Sequence, residues 1–207
     1  MESQRQYEEK IIFCLCCLFI LFGCETKVNP KKIVYDTSQI KNGDVIYRLG
    51  NGFFSNFIRD FSEKDKRFSH VGIVYKTDKN DTFFVIHAEE DDMSNLKGIK
   101  KTPVSEFLED AQDWAVYRLK SDNVTQKNIS EQALGYFKKQ MPFDQAFDAQ
   151  DSTAFYCAEL VAHCINNTLG KEIIKPNTVK KNQSFIAIDD TYLIDTMALV
   201  MKNIATH

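Results

Sequence analysis

Between His70 and His87 the chain carries two apolar, β-rich runs, His70-Val71-Gly72-Ile73-Val74-Tyr75 and Thr82-Phe83-Phe84-Val85-Ile86-His87, separated by the polar turn Asp78-Lys79-Asn80-Asp81. Branched and aromatic runs joined by so short a connection predict an antiparallel hairpin. A lone hairpin is barely stable in water, so this pair demands further strands and a helix against its apolar side. Asp44 to Leu49 and Trp114 to Leu119 read as such strands, the first preceded by Gly43 and ended by Gly50-Asn51-Gly52. Phe53, Phe54, Phe57, Ile58 and Phe61 recur at helical spacing and read as a core stripe. Thr102 and Pro103 read as the cap and first residue of a short helix to Leu108, and Thr125 as the cap of a helix to Gln140. A stronger helix spans Ala158 to Thr168 and ends at Gly170. Residues 186–204 fit helix or strand. The expected class is α+β.

The amino-terminal residues belong to another kind of sequence. Arg5 and Lys10 precede an apolar run from Ile11 to Phe22, followed by Gly23-Cys24. The run is short for a permanent membrane span and has the length of a signal-peptide core. A small residue before a cysteine resembles a bacterial lipoprotein cleavage site, which makes Cys24 the lipidation site; a plain membrane anchor is the other reading. Both place the protein on a membrane, and the expected location is the periplasm or cell surface as an exported, anchored lipoprotein. The expected organisation is a signal peptide over 1–23, a polar tether over 24–42 and one domain over 43–207.

Of the six cysteines, Cys14, Cys16, Cys17 and Cys24 lie in the leader, leaving the body Cys157 and Cys164. On one helix these two stand about 10 Å apart along the axis, beyond disulfide reach. The body therefore depends on its apolar core. A net charge of −3 with no basic stripe gives no reason to expect a nucleic-acid partner. One cysteine and scattered histidines offer no zinc-type spacing, so neither a metal nor any other cofactor is called for.

Chemistry concentrates in Phe155-Tyr156-Cys157-Ala158-Glu159 and Ser69-His70-Val71. A sulfur in the first turn of a helix meets unpaired N–H groups, and an imidazolium beside it would lower its pKa and populate the thiolate. The plainer reading of Cys157 is a buried inert thiol, and of His70 a half-buried polar residue. Cys164, two turns deeper, reads as apolar filler. His163 stands six residues after Cys157 and turns away from it, which leaves His70 as the better base. His87, at the end of the partner strand, is placed to hold the far nitrogen of His70. Glu89 competes for that place, since alternation puts it on the same face as His87.

Taken in order, Gly43-Asp44-Val45-Ile46-Tyr47, Ser69-His70-Val71-Gly72-Ile73-Val74, Val85-Ile86-His87-Ala88, Pro142-Phe143-Asp144-Gln145-Ala146-Phe147 and Phe155-Tyr156-Cys157-Ala158-Glu159-Leu160-Val161 resemble the YiiX/YebB-like enzymes, circularly permuted relatives of NlpC-type papain-like hydrolases. The resemblance covers most of the body. It implies a permuted papain-like fold, a small antiparallel sheet or barrel packed on the nucleophile helix, with the histidine ahead of the cysteine. It also implies Cys157 as nucleophile, His70 as base and His87 as the third polar residue. Many YiiX-like sequences have a glutamate where this chain has His87, and the lecithin:retinol acyltransferase-like group has a histidine. The function expected first is a membrane-tethered thiol hydrolase that cleaves an amide in a cell-wall peptide or N-acyl compound. A lipid acyltransferase or thioesterase using the same residues is the second, and a non-catalytic ligand-binding lipoprotein the third. Each takes a small peptide, amide or lipid and no nucleic acid.

Overall fold

Alternation along the strands decides the architecture. In β1 (Val45–Leu49), Val45 and Tyr47 join one hydrophobic cluster and Ile46 another, and all three are fully buried. In β2 (His70–Lys76), Val71 and Ile73 share the cluster of Val45 while Val74 joins that of Ile46. In β3 (Phe83–Glu89), Ile86 and Ala88 oppose Val85 in the same way. Strands apolar on both sides need cover on both faces.

The computed structural model describes residues 35–51, 53–77, 82–90, 98–149, 152–180 and 183–203. The expected signal peptide, most of the tether, Cys24, the 78–81 turn and His207 lie outside the described residues. With β4 (Gly98–Pro103), β5 (Asp113–Leu119) and β8 (Met197–Lys202), the first three strands build a six-stranded antiparallel sheet in the order β4-β3-β2-β1-β5-β8. Its helical cover on the first face is α3 (Asn123–Lys138) and α4 (Cys157–Leu169), which contribute Ile129, Ala133, Leu160, Val161 and Ile165 to the core. On the second face α2 (Val104–Phe107) contributes Val104 and Phe107, beside Leu108 and Trp114. Each such side chain, fully buried, contributes roughly 1.5–3 kcal/mol from apolar burial. A short helix α1 (Phe53–Arg59) lies between β1 and β2, and a two-stranded ribbon, β6 (Thr178–Lys180) with β7 (Gln183–Phe185), precedes a 3-10 turn at Asp189–Thr191. Among the described residues no helix is long and apolar enough to cross a membrane.

Local chemistry explains several boundaries that differ from the sequence expectation. The helix expected from Thr125 begins at Asn123, because the Asp122 carboxylate accepts from the Thr125 N–H at 2.7 Å and is the actual cap. The helix expected from Pro103 begins at Val104, since residues up to Pro103 pair with β3; Thr102 is a strand residue, opposite Val85, and caps nothing. The α1 stripe is only partly core: Phe57 is 48 % exposed, while Ile58 and Phe61 pack against the cluster. Residues 186–204 resolve into the 3-10 turn and the edge strand β8.

Two polar anchors set the loops around β1 and β2. Gly43 adopts φ 77°, and a Cβ there would sit 2.2 Å from the Gln126 carbonyl oxygen, so only glycine fits. It presents the buried Asp44 carboxylate to Arg118, whose Nε and Nη2 donate at 2.6 and 2.8 Å. Asp189, 1 % exposed, accepts at one oxygen from the N–H groups of Glu63, Lys64 and Asp65 at 3.1, 2.8 and 3.1 Å. That carboxylate fixes the charged loop that delivers the chain to His70.

Candidate active site

The end of the sheet where β1 stops, β2 begins and β3 stops faces the N-terminus of α4. There a cavity of about 100 Å³ is lined by Arg48, Ser69, His70, Glu89, Phe147 and Cys157, among others. The structure thus brings the thiol and the imidazole singled out in the sequence to one cavity. Cys157 is the first residue of α4, preceded by Tyr156 in extended conformation, and the Tyr156 N–H is bonded by the Glu159 carboxylate at 3.2 Å.

His70 Nε2 lies 2.8 Å from His87 Nδ1, and His87 Nε2 lies 2.9 Å from Thr102 Oγ1. The three side chains form one hydrogen-bonded line. The ring of Phe107 packs on both imidazoles, with centroids 5.5 and 5.1 Å away. Register makes room for this line: Gly72 of β2 has no side chain, and a Cβ there would come within 2.9 Å of His87 Cβ and 2.4 Å of Val85 Cγ1. Gly72→Ala is accordingly expected to displace His87, lower kcat/KM by about tenfold and destabilise the fold by roughly 1–3 kcal/mol, read from steady-state kinetics and urea denaturation.

Glu89 shares the His87 face but is engaged elsewhere, by Arg48 Nη2 at 3.0 Å and Lys100 Nζ at 3.5 Å. Arg48 also donates from Nη1 to the Phe107 carbonyl at 2.9 Å and stacks its guanidinium 4.7 Å from the Phe107 centroid. Nε2 of His70 is held by His87, not by Glu89. His163 contacts Asn167 at 2.7 Å and packs on Tyr136 and Phe155, away from this cavity. Cys164 is fully buried in the core. A larger cleft of about 490 Å³ runs along α4 past His163, Asn166 and Lys171 and is bordered by neither His70 nor Cys157. Chemistry, not volume, marks the candidate site.

Electrostatics depart from the expected thiolate. Burial pushes the Cys157 thiol up to about 11; the N–H groups of Ala158, Val71 and Cys157 itself oppose this, and the Glu89 charge reinforces it. Burial drives His70 well below its ordinary value, aided by Arg48, His87 and Lys100, and drives His87 down to about 3, aided by Arg48 and Lys100. The helix N-terminus is outweighed because Cys157 is only 8 % exposed. The resting site therefore holds a neutral thiol beside two neutral imidazoles.

On its other side Cys157 adjoins a small apolar slot of about 30 Å³ lined by Ile58, Phe61, Phe147, Tyr156, Phe185 and Ile188, among others. Phe61 stands 6.3 Å from Phe147, nearly parallel, and edge-on to Phe185 at 5.4 Å. Phe147 takes φ 53°, a left-handed conformation that bulky residues rarely adopt. Its ring borders both the slot and the polar cavity. Arg48, Thr102 and Phe107 are the site residues that sequence reasoning missed; period-two alternation through Lys100 and Thr102 was the signal that could have placed Thr102 on the His87 side.

A histidine on an early strand and a cysteine opening a late helix, lining one cavity at the end of an antiparallel sheet, are the arrangement of a circularly permuted papain-like hydrolase. The family model described as "Permuted papain-like amidase enzyme, YaeF/YiiX, C92 family" matches residues 39–203, and the chain belongs to that family. It is thus an amidase of the cysteine-hydrolase class. The crystal structure of YiiX from Escherichia coli O157:H7, titled a metalloprotein, superposes with a TM-score of 0.64 over 80 % of this chain and 98 % of that one, at 17 % identity. No curated protein matches the sequence.

Proposed function

We propose that this amidase works through an acyl-enzyme on Cys157, with His70 as base and His87 as its orienter, on a small N-acyl compound or peptide. The observation that carries the reading is the shared cavity: Cys157 and His70 line it together, and His87 occupies Nε2 of His70, which leaves Nδ1 for the thiol. As substrate enters, His70 Nδ1 takes the thiol proton while sulfur attacks the amide carbon, and N–H groups at the start of α4 are available to the oxyanion. His70 then gives the proton to the departing amine. Water, deprotonated by His70, attacks the thioester, and the returning proton restores the thiol and frees the acid. The net change is amide plus water to acid plus amine.

Two environments on either side of Cys157 give the substrate a direction. An apolar acyl or side-chain group suits the aromatic slot, and a polar amine-bearing part suits the cavity with Glu89, Glu90, Ser55 and Arg48. The aromatic slot also supports the second reading, acyl transfer from a lipid. Tethering to a membrane through Cys24 belongs to the same proposal and rests on the Ile11 to Cys24 sequence pattern.

YiiX is described as a metalloprotein, which raises the question of a metal here. His70, His87 and Glu89 each offer a donor atom within 4.8 Å of the others. The two facing imidazole nitrogens are, however, at hydrogen-bond distance, 2.8 Å, whereas neighbouring nitrogens around tetrahedral zinc stand about 3.3 Å apart. Glu89 is already paired with Arg48 and Lys100. The residues present do not fit a metal centre as they stand.

The test is a panel of N-acyl amino acids and short peptides, quenched in acid and read by mass spectrometry, before and after dialysis against EDTA. An acyl adduct on Cys157, free acid as product and unchanged turnover after chelation are expected. Products transferred to an added amine in place of free acid would move the assignment to acyl transfer. Turnover abolished by EDTA and restored by metal would overturn the thiol mechanism.

A further inference from the structure

We infer that Thr102 is a positioning residue: its hydroxyl can accept from His87 and so permits the pair of tautomers in which the nitrogen of His70 not bonded to His87 is unprotonated. The inference rests on the proposed role of His70 as base and goes beyond it by assigning what holds that base in its active form.

The bonds leave few choices. His70 Nε2 faces His87 Nδ1 at 2.8 Å, and one proton lies between them. His87 Nε2 faces Thr102 Oγ1 at 2.9 Å. His87 is 1 % exposed, and the Phe107 ring lies edge-on to it, so neither of its nitrogens can turn to bulk water. For His70 to take a proton at Nδ1, its hydrogen must sit on Nε2 and point at His87 Nδ1. His87 then carries its own hydrogen on Nε2, and Thr102 Oγ1 must accept it. The same direction is required once His70 becomes an imidazolium, because both of its nitrogens are then donors. A hydroxyl meets this demand. A methyl group does not.

With no acceptor at position 102, His87 Nε2–H would be a buried, unpaired donor. The line avoids that by reversing: hydrogen moves to His87 Nδ1, points at His70 Nε2, and forces the His70 hydrogen onto Nδ1. The nitrogen that the proposed mechanism needs then carries a hydrogen and cannot receive a proton. Thr102 sits in β4, diagonally across from His87, whose direct partner there is Lys100. Its effect on the thiol is carried entirely through two imidazoles.

Thr102→Val, nearly the same in shape, and Thr102→Ser, which restores the hydroxyl, separate hydrogen bonding from packing. In the valine variant kcat is expected to fall about 10- to 100-fold with KM little changed, and the serine variant is expected to recover most of it. ¹⁵N NMR of histidine-labelled protein reads the tautomers without turnover. In wild type and Thr102→Ser the unprotonated nitrogen of His70 is expected to be Nδ1, and in Thr102→Val it is expected to be Nε2. Unchanged His70 tautomers in the valine variant would overturn the inference. Inverted tautomers with undiminished kcat would leave the role of Thr102 standing and remove His70 as base.

Discussion

Cys157→Ser is expected to fold as the wild type does and to lose about 10⁴-fold or more in kcat, a loss on the scale seen when one member of a catalytic unit is removed. The physical reason is the nucleophile itself: an alkoxide from serine is far less available at neutral pH than a thiolate. The change in volume is small and Cys157 stands at the rim of the core, so the cost in stability should be about 1 kcal/mol or less. Iodoacetamide adds a second reading. It should alkylate Cys157 and leave Cys164, which is fully buried, untouched in the folded protein. Because burial holds the thiol near 11, alkylation should accelerate steadily from pH 7 to pH 10. A plateau at neutral pH would mean that thiolate and imidazolium already coexist at rest. Retention of wild-type turnover by the serine variant would sink the nucleophile assignment altogether.

What could be read from the sequence was what local rules govern. The hairpin of β2 and β3 and the helix Cys157–Leu169, capped by Gly170, obey period-two alternation and capping, both of which are written in consecutive residues. The site is less local. His87 meets His70 only because the strands pair in a register that sets His87 opposite Gly72, and that register also explains the glycine. Thr-Pro is a common helix start and points to Thr102 as a cap, but pairing of residues 98–103 with β3 overrides that propensity. In the sequence Arg48 is one charge near a strand end. It becomes part of the site through contacts 41 and 59 residues away, to Glu89 and Phe107. The expected thiolate failed for a related reason: exposure depends on the whole chain, and no pattern around Cys157 announces that it is nearly covered.

Acidification is expected to unfold this protein early, and His87 is the main cause. Its folded value is near 3, held down by burial and by Arg48 and Lys100, while an unfolded histidine titrates near 6.5. Between those values the unfolded chain binds a proton that the folded chain refuses, so stability is full above pH 6.5 and drains away as pH falls towards 3. One group of this kind costs about 1.4 kcal/mol per pH unit, or roughly 3 kcal/mol by pH 4.5, a large share of the 5–15 kcal/mol that holds a domain. His70 adds to the loss in the same direction. Glu89 faces the pair through Arg48 and Lys100, and the buried Asp44 and Asp190, both raised by burial, bind protons more readily when folded and act in the opposite sense at low pH. The informative quantity is therefore a difference. Urea midpoints at pH 7 and pH 4.5 should fall steeply for the wild type and much less for His87→Gln, which keeps polar groups at the position but cannot titrate. Parallel losses in the two proteins would show that His87 accepts its proton without unfolding, and that the hydrogen-bonded line from Thr102 to His70 tolerates a charge at its centre.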